Sequence, residues 1–243
     1  MNKNIRLYTD TELTPDCDCI LSQEKSHYLC NVMRCKEGDT IFCFNESCGE
    51  FSARIKKIDK KKTIIEILQQ LRRSEKEPDL WLLFAPLTKD KTDFVIEKST
   101  ELGASKIIPV MTKYTNSDKI KRDRFVMQAI EASEQCHRLS VPSIEELAPL
   151  RNILEKWDNN RVLFSMNERR DGENVVETFT KTKTESAAIL VGPEGGFCDE
   201  EVKFITSFPF VKNISLGPRI LRPETAVVSA LSVWQACAGD WNT

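Results

Sequence analysis

The sequence predicts an α/β protein in two parts: a small β-barrel-like module over residues 1–72, then a domain with a mostly parallel sheet over residues 73–243. Three observations predict it. Up to Leu68 the chain runs in short strand-like segments, some alternating apolar and polar residues as half-buried strands do. From Leu80 onward, continuous apolar runs alternate with helical segments, the pattern of parallel strands covered on both faces. Between them Arg72-Arg73-Ser74-Glu75-Lys76-Glu77-Pro78-Asp79 is polar and nearly ends on a proline, which suits a linker.

In the front module, Thr40 to Phe44 follows the Gly38-Asp39 turn, Phe51, Ala53 and Ile55 alternate, and Thr63 to Leu68 follows a lysine-rich turn. One helix over about Gln23 to Met33 puts Tyr28, Leu29, Val32 and Met33 on an apolar face. In the second part the buried-strand runs are Leu80 to Ala85, Lys106 to Val110, Arg161 to Phe164, Ala187 to Val191 and Val211 to Leu216. Among the helices, one carries Glu97, Lys98 and Glu101 and ends at Leu102-Gly103. Another carries Glu131, Glu134, Gln135, His137 and Arg138. The last starts at Pro223, a residue suited to a first helical turn, and runs to about Cys237. It is apolar nearly all round, so the core or another subunit must cover it.

A chain of 243 residues, 40% of them hydrophobic, can bury a substantial core. The formal net charge of −2 excludes a globally cationic nucleic-acid binder, so any such contact must come from local patches. Lys56, Lys57, Lys60, Lys61 and Lys62 with Arg72 and Arg73 form one candidate; Lys119, Lys121, Arg122 and Arg124 form another. Both also fit solvated turns and helix faces. No apolar run approaches the roughly 20 residues of a membrane span, and Met1 to Arg6 lacks the apolar core of a secretory signal, which points to the cytoplasm. Six of the nine cysteines lie between Cys17 and Cys48, without a CxxC pair and with His27 as the nearby imidazole. Reduced, partly buried thiols fit this spacing better than a metal site.

Ligands of open parallel sheets bind beyond the carboxyl ends of the strands, and two such loops stand out. Leu190 to Phe197 leaves a buried strand through Gly192-Pro193-Glu194-Gly195-Gly196 and enters a helix beginning Asp199-Glu200-Glu201. Three glycines let the backbone turn sharply against a flat ligand, but neither phosphate-loop spacing occurs. Glu194 also argues against an anion and suits ribose hydroxyls or a cation. A tight loop needing glycine for its own geometry would look similar. In the second loop, Leu216-Gly217-Pro218-Arg219-Ile220-Leu221-Arg222-Pro223-Glu224-Thr225-Ala226, the charged residues crowd the strand-to-helix turn. A surface ion pair between Arg222 and Glu224 fits the same spacing.

Together these segments resemble the family that methylates N3 of a uridine in 16S ribosomal RNA, within the SPOUT or α/β-knot superfamily. The residues carrying the resemblance are His27-Tyr28-Leu29 through Arg34 with Gly38-Asp39, Glu97-Lys98 through Gly103, Glu131 to Gln135 with Arg138, Gly192 to Phe197, and Leu216 to Ala226. The resemblance implies a PUA-like RNA-binding domain followed by a trefoil-knotted methyltransferase domain, a homodimer, S-adenosylmethionine as cofactor, no metal, and 16S ribosomal RNA within the small subunit as partner. It implies that the cofactor is held by Phe164, Ser165 and Met166, by Gly192, Pro193, Glu194, Gly195 and Gly196, and by Leu216, Gly217, Ile220 and Leu221. Arg219, Arg222, Glu224 and Arg138 become candidates for positioning RNA and the base. Because N3 of uridine carries a proton, Arg222 or Arg219 is expected to stabilise charge on the carbonyl oxygens, with Glu224 or Glu194 orienting the base or taking the proton. Two departures stand out: Cys198 replaces the usual serine or threonine cap, so Asp199 is expected to cap instead, and Lys113 to Ser117 is less basic than the family pattern.

Overall fold

The alternating residues of the front segment do form strands. In the computed structural model, which describes residues 5–117, 119–169, 171–182, 184 and 186–242, the chain divides into two compact units. Met1 to Asn4, on which part of the signal-peptide reading rests, lie outside the described residues. One unit comprises the chain up to Lys76 together with Ser133–Val141; the other comprises Glu77–Ala132 and the chain from Pro142.

The first unit contains β1 (Arg6–Tyr8), β2 (Asp18–Ile20), α1 (Gln23–His27), β3 (Thr40–Asn45), β4 (Gly49–Lys57) and β5 (Ile64–Arg72). They make one five-stranded sheet in the order β1-β3-β4-β5-β2, a curled half-barrel in which β1 and β2 are the edges. Every second residue of β4 faces inward: Phe51, Ala53 and Ile55 join Leu7, Leu29, Ile41, Cys43, Ile65 and Ile67 in the core. The expected helix forms without interruption over Gln23–Val32, but in two geometries. After α1 the chain adds a π-helical turn over Tyr28–Val32, whose extra residue rotates the downstream face, so Leu29 is buried while Val32 is 59% exposed. The cysteines are all free thiols, and burial pushes Cys43 up to about 12, which keeps it protonated and inert. Arg6, buried against Glu50, donates from Nη1 to the carbonyls of Ser133 (2.9 Å) and Glu134 (3.0 Å) and from Nη2 to that of Arg138 (3.1 Å).

The second unit contains β6 (Asp79–Phe84), α2 (Lys89–Glu101), β7 (Lys106–Met111), most of α3 (Arg122–Gln135), β8 (Ser143–Ile144), β9 (Ala148–Pro149), α4 (Leu150–Leu154), β10 (Val162–Met166), β11 (Glu173–Asn174), α5 (Val175–Lys181), β12 (Ser186–Val191), α6 (Asp199–Thr206), β13 (Val211–Ser215) and α7 (Pro223–Ala238). The five apolar runs are the five long strands, β6, β7, β10, β12 and β13, of a sheet ordered β11-β13-β10-β12-β6-β7-β8, with every described pairing parallel. Leu82, Leu83, Leu163, Ala188, Ile189 and Leu190 are fully buried, as strands covered on both faces must be.

At the amino ends of β6, β12 and β10, Arg161 is almost fully buried. Its Nη1 donates to the carbonyls of Asp79 (3.0 Å) and Ala187 (3.1 Å), its Nη2 meets the Asp79 carboxylate, and its guanidinium lies 3.6 Å from the Trp81 ring centre. α7 buries Ala226, Val227, Ala230, Leu231, Trp234 and Gln235, and leaves Val228, Val233 and Cys237 half-buried. Among the described residues, no helix is long and apolar enough to cross a membrane.

Candidate active site

Four segments at the carboxyl ends of neighbouring strands enclose a cavity of about 460 Å³: those following β6, β10, β12 and β13. This is within the usual range for a small-molecule site. The glycine loop after β12 supplies Gly192, Pro193, Glu194 and Gly196. Two of its glycines are there for definite reasons. A side chain at Gly192 would come within 3.0 Å of the Phe197 ring, and Gly196 holds φ +67 with the Glu168 carboxylate against the place a Cβ would take. The loop then enters α6 with Cys198 itself at the N-cap and Glu201 accepting from the Cys198 N–H at 3.0 Å. Asp199 therefore does not cap the helix: it is the first helical residue, because Glu201 reaches back to complete the cap.

The loop after β13 supplies Leu216, Gly217, Arg219, Ile220, Leu221 and Arg222. Ile220 is 66% exposed at the lip, an apolar side chain with nothing of its own unit to cover it. Arg219 and Arg222 are exposed and make no ion pair or side-chain hydrogen bond among the described residues. The spacing-based pair between Arg222 and Glu224 does not form. Glu224, in the first turn of α7, instead faces Lys91 of α2, with Oε1 3.8 Å from Nζ, and its Oε2 is buried without a hydrogen-bond partner. Lys91 also contacts Glu194 directly, and Asn116 Nδ2 reaches the other oxygen of Glu194 at 3.4 Å.

Not every expected residue lines this cavity. Met166 does, at the end of β10, but Phe164 and Ser165 are buried within the strand, Phe164 edge-on to Phe179 with ring centres 4.8 Å apart. Gly195 turns away and backs onto Tyr114, whose Cβ would lie 3.2 Å from a side chain there. Arg138 is placed differently from its expected position on a helix face. α3 stops at Gln135, His137 takes a left-handed φ of 63°, and Arg138 follows as a buried residue of the first unit, donating from Nε to Ser140 Oγ at 2.9 Å.

The comparisons with known proteins agree with this division of labour. The family described as "RNA methyltransferase domain" matches residues 74–235, a span that contains the whole cavity lining, and "RNA methyltransferase PUA domain" matches residues 21–68. Ribosomal RNA small subunit methyltransferase E of Rickettsia conorii is 32% identical over 93% of this chain and 93% of its own length. The chain belongs to the ribosomal RNA small subunit methyltransferase E family. The protein of the same name from Buchnera aphidicola of Acyrthosiphon pisum is 33% identical over 99% of this chain and 97% of its own. Among solved structures, the Neisseria gonorrhoeae member bound to S-adenosyl methionine is 26% identical with a TM-score of 0.89, covering 98% of this chain and all of its own. A Legionella pneumophila methyltransferase in complex with the same cofactor is 28% identical with a TM-score of 0.85, covering 98% and 99%. In family terms, the half-barrel is the PUA-like domain and the parallel-sheet unit is the SPOUT methyltransferase domain.

Sequence reasoning overlooked Lys91, Asn167, Glu168 and Arg169, all of which line the cavity. The signal for Lys91 was available. It follows a buried strand and stands in a first helical turn, where the helix dipole disfavours a cation unless carboxylates meet it. Glu168 has no partner among the described residues, while Arg169 is held by Asp199 at 2.6 Å.

Proposed function

We propose that this chain transfers the methyl group of S-adenosylmethionine to N3 of a uridine in 16S ribosomal RNA of the small subunit, acting in the cytoplasm as a homodimer. The observation that carries the reading is the composition of the cavity wall: apolar side chains at its lip, the glycine loop after β12, and two arginines without acidic partners among the described residues. A site occupied only by water would not need this combination.

The residues present fit the cofactor. Met166, Leu216, Ile220 and Leu221 offer apolar surface to an adenine ring, and the backbone of Gly192, Pro193, Glu194 and Gly196 lines the cavity for its edge. The Glu168 carboxylate beside Gly196, unpaired among the described residues, suits the hydroxyls or the ammonium of such a molecule. When bound, the cofactor supplies an activated methyl group. The chain must then orient the base and remove the imide proton. Arg219 and Arg222 are the groups free to draw charge onto the uracil carbonyl oxygens. Of the two candidate carboxylates, Glu194 lines the cavity beside Lys91 and Asn116, whereas Glu224 lies behind it against Lys91 with Oε2 buried, so Glu194 is the proton acceptor in this scheme.

For RNA, the two basic runs differ. Arg122 and Arg124 are engaged within their own unit, by the Ile144 carbonyl (2.7 Å) and Asp93 (2.7 Å). Lys57, Lys60, Lys61 and Lys62 are exposed and make no ion pair among the described residues, in a turn whose Asp59 accepts from the Lys61 and Lys62 amides. This favours the lysine turn of the front module as the phosphate contact. Val228 and Val233 on α7, together with Ile220, support a second copy as the missing cover.

Mass spectrometry of nucleosides from 16S ribosomal RNA of a deletion strain tests the reading. Loss of 3-methyluridine, restored by the gene, is the expected result. An unchanged nucleoside profile, or loss of a methyl group at another position, contradicts it.

A further inference from the structure

Five long strands end at the edge of the sheet where ligands bind, and the segments after four of them enclose the cavity. The fifth segment, Thr112 to Ser117 after β7, lines none of it. It is nevertheless fastened to the glycine loop and to the helix that follows. The Lys113 N–H donates to Glu201 Oε1 at 2.7 Å, the carboxylate whose other oxygen accepts from the Cys198 N–H, and Asn116 Nδ2 reaches Glu194 Oε2 at 3.4 Å. Tyr114 packs against Gly195 so closely that a side chain there would come within 3.2 Å of its Cβ. Within the segment, the Thr112 N–H donates to Thr115 Oγ1 at 2.9 Å and the Thr115 N–H to the Thr112 carbonyl at 3.2 Å, which closes a turn. Tyr114 is thus fixed at its root, yet it stays 46% exposed, with Lys113 Nζ 5.8 Å from its ring centre. The acids nearby are already engaged: Asp199 by Arg169 at 2.6 Å, Glu200 by Lys113 at 3.8 Å, and Glu201 by two backbone amides.

We propose that Tyr114 is a stacking platform for an unpaired RNA base flanking the nucleotide that enters the cavity, with Lys113 beside it for the adjoining phosphate. This rests on the RNA-methyltransferase reading above and adds a substrate contact outside the cofactor cavity. An unpaired strand is the occupant because a duplex hides the faces of its bases, and a phosphate alone has no use for a ring. A tyrosine on a fixed backbone has few torsions left to freeze, so the contact costs little entropy. Every base has a face to stack, so Tyr114 adds hold without choosing sequence. Its contribution therefore belongs to the binding of RNA and not to the chemical step.

The test uses the full-length protein and small-subunit particles from the deletion strain. Tyr114→Ala is expected to raise the KM for the particle about 10-fold, while kcat and the calorimetric affinity for S-adenosylhomocysteine stay within about threefold. Tyr114→Phe, which keeps the ring, should stay within about twofold of wild type, and Tyr114→Leu, which keeps apolar bulk without a π-face, should behave like Tyr114→Ala. A second measurement is independent of turnover. The chain has three tyrosines, Tyr8, Tyr28 and Tyr114, so protein labelled with 3-fluorotyrosine gives three fluorine-19 signals, with that of Tyr114 assigned by its absence in Tyr114→Phe. Single-stranded oligoadenylate should displace the Tyr114 signal, and an abasic strand of the same length and charge should leave it in place. A KM for Tyr114→Ala within about twofold of wild type, a Tyr114→Leu variant equal to wild type, or a cofactor-affinity loss as large as the rise in KM overturns the proposal. So does a Tyr114 signal that ignores oligoadenylate or answers the abasic strand equally. If the wild-type protein leaves the particles unmethylated, the underlying reading fails by itself, while the fluorine signal still reports whether a base stacks on Tyr114.

Discussion

The two ends of the same parallel strands treat charge in opposite ways. At the amino ends of β6, β12 and β10, Arg161 and the Asp79 carboxylate are committed to each other, Arg161 also donates to two strand carbonyls, and Ser105 and Ser186 donate to the Asp79 carboxylate. At the carboxyl ends, Arg219, Arg222 and Glu168 have no ion-pair or side-chain hydrogen-bond partner among the described residues. A charge engaged by its own chain holds the sheet together. A charge left open is there for something the chain does not contain.

Breaking the amino end should therefore cost stability and spare the site. Arg161→Ala removes a donor from two strand carbonyls and the charged partner of the Asp79 carboxylate, which keeps Ser105 and Ser186, and is expected to lower unfolding stability by about 3 kcal/mol, discounted because Asp79 is partly exposed. Urea denaturation measures this, and calorimetry on the folded fraction should find S-adenosylmethionine affinity unchanged within about twofold. Gly196→Ala sharpens the comparison from the other side. Its left-handed φ costs an alanine about 1–2 kcal/mol, and the added methyl must displace the Glu168 carboxylate, so cofactor affinity is expected to fall with the modest loss in stability.

The smallest effect concerns acid. Burial raises the Asp79 carboxyl, but the hydrogen bond and charge of Arg161, with Ser186 and Ser105, outweigh it and hold it below its ordinary value of 3.8. A depressed carboxyl favours the folded state above its unfolded pKa and loses that contribution as pH falls through the folded one. Asp79→Asn is accordingly expected to lower stability at neutral pH and to flatten the decline below about pH 4, as followed by thermal unfolding across pH.

The sequence reading succeeded where the signal was local. Apolar runs located the five long strands of the second unit, because burial on both faces leaves no alternation to misread. The Gly192 to Gly196 and Leu216 to Leu221 loops were legible because turn residues and charge lie within a few positions of one another. It failed where geometry overrides period. The π-helical turn at Tyr28–Val32 rotated Val32 into solvent, and the left-handed His137 ended the helix expected to carry Arg138. It also missed what only folding assembles. Lys91 lies 103 residues from Glu194, so no spacing rule joins them. Phe164 and Ser165 were expected to hold the cofactor, but strand β10 buries both and of the three only Met166 at its end reaches the cavity.

The measurement that tests the central claim most directly is methyl transfer by Arg222→Ala to small-subunit particles lacking the modification, read alongside its S-adenosylmethionine affinity. If the open arginines exist to stabilise charge on the uracil, kcat/KM should fall about 10²–10³-fold with cofactor affinity and unfolding midpoint preserved. Full turnover with normal cofactor binding would show that Arg222 is merely exposed, and would contradict the account.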